Sequence, residues 1–144
     1  CCSWRFGVMA SELKLDKLTG ATSAAAINVT AEGGSTATSL QQGLAKSWVN
    51  SDGDAGTPAA RDSLNVSSVT DSATGKGIFA VSNNFGNDDF VATAGGSTEL
   101  VALNRNTTTW ANSTSRYGFV SYKTDVDSVF DFDQVLCVAH GDLA

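Results

Sequence analysis

With 144 residues, 42% of them hydrophobic and 17% charged, the chain can bury a core and is too apolar to be disordered by composition. A net charge of −6 and a pI near 4.4 oppose a nucleic-acid partner, which needs a basic footprint, and oppose an anionic membrane surface equally. Fourteen glycines, a single proline and many Ser, Thr and Asn residues favour turns and short strands over long helices.

Chain order begins with Cys1-Cys2-Ser3-Trp4-Arg5-Phe6-Gly7-Val8, which lacks the regions of a signal peptide and reads as an extension ahead of a start at Met9. Residues 10–20 alternate, with Leu13 and Leu15 on one parity and Lys14 and Asp16 on the other, and predict a short half-buried strand. A short helix through Leu15 and Leu18 is the alternative. Residues 21–26 read as a small-residue linker or a helical turn. Ile27-Asn28-Val29-Thr30 predicts a second short strand, broken by Glu32-Gly33-Gly34-Ser35. Residues 38–48 predict a helix, because Leu40, Leu44 and Trp48 fall at i, i+4 and i+8, with Thr38 or Ser39 as N-cap. Gly43 weakens that helix. The competing reading is an extended arm whose Trp48-Val49 end enters a sheet.

Residues 50–58 predict a loop. Leu64, Val66 and Val69 then form a strand, a turn follows at 71–75, and Gly77-Ile78-Phe79-Ala80-Val81 returns from it as the clearest hairpin in the chain. Residues 83–89 are a turn cluster. Strands follow at 90–94, ended by Gly95-Gly96, and at 99–103. Residues 104–115 are polar around Trp110. A strong strand covers 116–123. The last strand, 133–140, is apolar on both parities and predicts a central strand covered on both faces. No apolar run approaches the length of a membrane span. The expected architecture is mainly β: a small antiparallel β-sandwich over residues 50–144, preceded by an extended or partly helical N-terminal arm over residues 1–49.

No catalytic or metal-binding constellation stands out. Asp125, Asp127, Asp131 and Asp133 share a parity, and four carboxylates suit Ca²⁺ by ligand type, but the spacing is not that of an EF-hand. They read instead as a polar face and turn, with Val126, Phe130 and Phe132 turned to the core. Asn50, Asp52 and Asp54 read as an Asx-rich turn. His140 is the one histidine, which leaves neither a metal pattern nor a supported Ser-His-Asp triad. Cys1, Cys2 and Cys137 make no disulfide framework, and Cys137 reads as a small buried hydrophobe. Arg61 and Asp62 read as an ion pair at the joint between arm and domain. Trp110 and Tyr122 are candidate glycan contacts, although aromatic residues in a small β-domain serve more often in cores or subunit contacts.

One stretch is distinctive enough to suggest a family. Ala45-Lys46-Ser47-Trp48-Val49-Asn50, then Gly56-Thr57-Pro58, then Ala60-Arg61-Asp62-Ser63-Leu64-Asn65-Val66-Ser67-Ser68-Val69-Thr70-Asp71 resembles a module common in tail fibres and other virion appendages of marine tailed bacteriophages, such as those infecting cyanobacteria and the Pelagibacter group. The opening from Met9 to Gly20 and the closing Val135-Leu136-Cys137-Val138-Ala139-His140-Gly141-Asp142 are similar to such proteins too. Departures are Leu64 where Phe is usual, the extra Asp and Gly residues in the 51–57 loop, and residues 1–8. The resemblance implies a non-enzymatic structural protein of the virion, homotrimeric, contacting other virion proteins and host surface glycans, without cofactor, nucleic acid or membrane insertion. A carbohydrate-binding module and a capsid decoration or head-fibre protein are the alternatives. The arm adds a physical reason for assembly. Leu13, Leu15, Leu40, Leu44 and Trp48, with Ile27, are too few to close a core and require an oligomer or docking partner.

Overall fold

Alternation along the strands decides which residues meet in the middle of the molecule. The computed structural model describes residues 13–22, 27–30, 34–54, 57–96, 100–103, 112–123 and 127–142. A small hairpin pairs β1 (Asn28–Thr30) with β2 (Ala37–Ser39), and one helical turn follows, α1 (Leu40–Gly43). The strands after it are β3 (Ser47–Asp52), β4 (Ala59–Leu64), β5 (Val66–Ala73), β6 (Lys76–Val81), β7 (Val91–Gly96), β8 (Leu100–Leu103), β9 (Arg116–Lys123), β10 (Ser128–Val129) and β11 (Val135–His140). Their pairings are all antiparallel.

Two sheets result. The first has the order β4-β3-β11-β7. The second runs β5-β6-β9, with β8 on the other side of β9. Ser121 in β9 donates its N–H to the Gly75 carbonyl at 2.7 Å and accepts from the Phe130 N–H at 3.2 Å. Thus β10 takes over beside β9 just before β6 begins. Val49, Val135, Cys137 and Ala139 of the first sheet face Phe79, Val81, Tyr117 and Phe119 of the second, and Phe85, Phe90 and Phe132 close the gaps from connecting segments. The rings stack or tilt against one another, Phe85 on Phe90 at 4.1 Å and Phe79 on Phe119 at 5.0 Å between centroids. Each ring so buried contributes roughly 1.5–3 kcal/mol. The mainly β fold and the sandwich of antiparallel sheets are as the sequence predicts.

Asn65 makes the crossing from the first sheet to the second. Its φ of 57° puts a left-handed residue between β4 and β5, a conformation Asn tolerates. Its side-chain amide donates to the Lys46 and Asn83 carbonyls at 3.1 and 3.0 Å, and its Oδ1 accepts from the Asn83 N–H at 2.7 Å. The corner is thereby tied to the start of β3 and to the end of β6.

Several expectations are corrected. Residues 13–20 form no strand, and Leu13, Leu15 and Leu18 are exposed. The helix over 38–48 shrinks to α1, without a side-chain cap at Ser39, and Trp48 belongs to β3. The competing extended reading, with Trp48-Val49 entering a sheet, is the one observed. Sheet pairing of Trp48 with Leu64 and Val138 outweighs a helix interrupted by Gly43. β3 starts at Ser47, so the sandwich opens before the boundary expected after residue 49. Gly95 and Gly96 continue β7 instead of ending it, and residues 71–73 extend β5 so that the turn is Thr74-Gly75. β11 lies between β3 and β7 as expected of a central strand, but one face alone is covered. Val135, Cys137 and Ala139 are buried, while Leu136 is 40% exposed. Phe130 is half exposed, not turned to the core.

Candidate functional site

β3 has an inverted pattern. Its inward residues are Ser47, Val49 and Ser51, all buried, while Trp48, Asn50 and Asp52 turn outward. The two inward hydroxyls are satisfied: Ser47 Oγ and Tyr117 Oη lie 2.9 Å apart across the two sheets, and Ser51 Oγ donates to the Val135 carbonyl at 3.2 Å. Burial pushes the Tyr117 phenol up to about 12, against the hydrogen bond to Ser47, which pulls it down. These bonds pin the register, because a slip by one residue would carry Trp48 into the core and the serines out.

Strand pairing then defines the outer face of the first sheet. One row reads Leu64, Trp48, Val138 and Thr93 across β4, β3, β11 and β7; the next reads Asp62, Asn50, Leu136 and Gly95. Beyond them His140 pairs with Val91, which is 66% exposed. Trp48, Leu136, Val138, Thr93 and Gly95 line a shallow open groove of about 510 Å³. The glycine and the threonine keep its β7 side low. Leu64, Trp48, Val138 and Leu136 give this face an apolar middle, with Asp62, Asn50, Thr93 and His140 among and around them, an arrangement chemically suited to docking.

The end of the sheet away from α1 is acidic. Arg61 sits at the register shift where β4 pairs with Asn50 and Ser51, and it donates to Asp52 at 2.9 Å and to Asp133 at 2.6 Å. Those two carboxylates, Asp133 first, raise the guanidinium above its ordinary value. Asp62 is not the partner of Arg61; its carboxylate accepts the Ser63 N–H at 2.8 Å. The expected Arg61–Asp62 pair is therefore replaced by a bridge from β4 to the start of β11. The Asx turn is present, with Asp52 Oδ1 accepting the Asp54 N–H at 3.2 Å.

The late aspartates do not share a face. Asp127 has a φ of 51° and accepts the Tyr122 hydroxyl, Asp131 accepts the Gly75 N–H at 2.5 Å, and Asp133 pairs with Arg61. Asp125 and Val126 lie outside the described residues. Among the described residues no group of three or more His, Cys, Asp or Glu could hold a metal ion. Cys137 is a buried free thiol, pushed up to about 12 by burial, as the small hydrophobe predicted. Tyr122 is half-buried with its hydroxyl engaged by Asp127, and Trp110 lies outside the described residues.

Of the arm residues, Leu13 and Leu15 are 80% and 54% exposed, Leu40 is half-buried in α1, Leu44 is exposed just after it, and Trp48 stands on the outer sheet face. Lys46 donates from Nζ to the Gln41 carbonyl, and Gln42 Nε2 donates to Asp142, so α1 is fastened to the same end of the sandwich from which β3 starts. Leu136, Val138 and Thr93 escaped the sequence reading as a surface, because their strand partners are set by contacts distant in sequence. The apolar outward parity of residues 133–140 was the signal that could have found it.

No family model, no curated protein and no solved structure matches the chain.

Proposed function

We propose that the chain is a non-enzymatic structural protein of a phage virion, part of a tail fibre or similar appendage, which assembles as a homotrimer and attaches to the particle or to the host surface. One observation carries the reading: a single copy leaves large apolar side chains in water, with Leu64, Leu136 and Val91 exposed on the sheet around the half-buried Trp48, and Leu13, Leu15, Leu18 and Leu44 exposed on the arm. Surfaces of that kind mark protein contacts. The resemblance to phage appendage modules supplies the setting, and its residues make up β3, β4 and β5. The sandwich provides a head with one buried core, and the arm a segment with exposed leucines for assembly.

The test has two parts. Light scattering on the purified full chain is expected to give three times the single-chain mass of 14.8 kDa. Immunogold against the chain is expected to decorate phage particles at the tail. Gold confined to the head would favour the decoration or head-fibre alternative, and particles without gold would overturn the virion assignment.

A further inference from the structure

We infer that the outer face of the β4-β3-β11-β7 sheet seats the arm of a second copy, with Leu13 and Leu15 lying over Trp48, Leu136 and Val138. Copies then join arm to sheet, head to tail. This rests on the oligomeric reading above and names the surface it uses.

β3 gives the first reason. An antiparallel sheet with one face in water alternates apolar residues inward and polar residues outward. Here Ser47 and Ser51 point inward and Trp48 points outward, in a register held by the Ser47–Tyr117 and Ser51–Val135 hydrogen bonds. The outward tryptophan is therefore built in. It stands beside Leu136 and Val138 in a groove that a second apolar layer would fill.

The arm gives the second. Within one copy Leu13 remains 80% exposed and Leu136 remains 40% exposed, so among the described residues Leu13 does not cover Leu136. Leu13 and Leu15 are two residues apart, as are Leu136 and Val138. In extended chain both pairs are spaced by about 6.5–7 Å, so an arm laid along the strands drops successive leucines onto successive rows.

Charge selects arm-to-sheet over sheet-to-sheet contact. Residues 1–22 hold Arg5, Lys14 and Lys17 against Glu12 and Asp16, a net of +1. The far end of the sheet holds Asp52, Asp62 and Asp133 against Arg61, a net of −2. Unlike patches attract and two copies of one acidic patch repel. A contact between two different surfaces of one chain is heterologous, and it closes into a ring when the rotation permits.

The experiment uses the full chain. Leu136→Glu places a charge on the face, and a double variant, Leu13→Ser with Leu15→Ser, disarms the arm. Neither change touches the core, so both proteins should keep the wild-type circular dichroism spectrum. The expected result is that each falls from the oligomeric mass to 14.8 kDa. Mixed in equal amounts, the two should form pairs of double mass, because one intact arm meets one intact face. An oligomer unaffected by Leu136→Glu would overturn the seat while leaving the oligomeric reading intact. Variants that dissociate but do not pair on mixing would also overturn it, and an arm variant that stays oligomeric while Leu136→Glu dissociates would overturn it in favour of face-to-face contact. A wild-type chain of single-copy mass would overturn both readings. Should Leu136→Glu misfold, Thr93→Glu on the neighbouring strand reads the same face.

Discussion

Tyr117 is the side chain on which the two sheets are aligned. It is fully buried, packs against Phe79 and Phe90, and reaches across to Ser47. Tyr117→Phe keeps the ring and strands the Ser47 hydroxyl, which should cost about 1–3 kcal/mol. A lower midpoint in urea with an unchanged slope would check this. Tyr117 and Cys137 also set the alkaline limit. Their folded-state values of about 12 lie above the ordinary 10.0 and 9.0, so the folded chain holds protons that the unfolded chain releases. The stability they contribute is complete below pH 9 and is lost as pH rises from 9 towards 12. Urea melts across that range should show a falling midpoint, with a shallower fall for Tyr117→Phe. Arg61 is the contrary case. Its bridge is exposed, so Arg61→Ala should leave the melt close to the wild type, and salt should abolish any difference between the two melts. The sequence made Cys137 legible, because an isolated thiol in an apolar run has one common fate. It misled at Arg61, because adjacency in sequence is a poor guide at a β-bulge, where side chains are re-aimed.

Among the elements, the β5–β6 hairpin is the most constrained. Gly75 has a φ of +67°, and a Cβ there would stand 2.6 Å from the Phe130 nitrogen and 2.9 Å from the Ser121 carbonyl oxygen. Gly75→Ala therefore meets both backbone strain and a contact with immovable backbone, and should destabilise by on the order of 2–4 kcal/mol in a thermal melt. Strands such as β5, β6 and β9 were legible because they alternate between turn-forming residues. β4 was not, since Ala-Ala-Arg-Asp-Ser-Leu carries little β-forming signal and becomes a strand by pairing with β3. The helix expected over 38–48 failed for a related reason. A spacing of four fits a helical stripe, but it does not show that Trp48 has strand partners many residues away in Leu64 and Val138. The same blindness concealed the outer face, whose rows are assembled from four strands.

At the scale of the molecule, β3 and β11 lie side by side in the middle of the first sheet and run in opposite directions. The Lys46 N–H donates to the Ala139 carbonyl at 2.8 Å, so the end of the sheet where β3 begins is also the end where β11 finishes. That arrangement makes the protein mechanically anisotropic. Tension applied between the arm and residue 142 pulls both strands from one end and peels their hydrogen bonds apart one at a time. Tension between the arm and residue 134, at the opposite end of β11, slides the strands past each other and loads the same bonds together, since they lie across the strand direction. In an optical trap the second geometry should rupture at the higher force. A protein held by its arm and pulled from its far end would thus meet load along its strong axis.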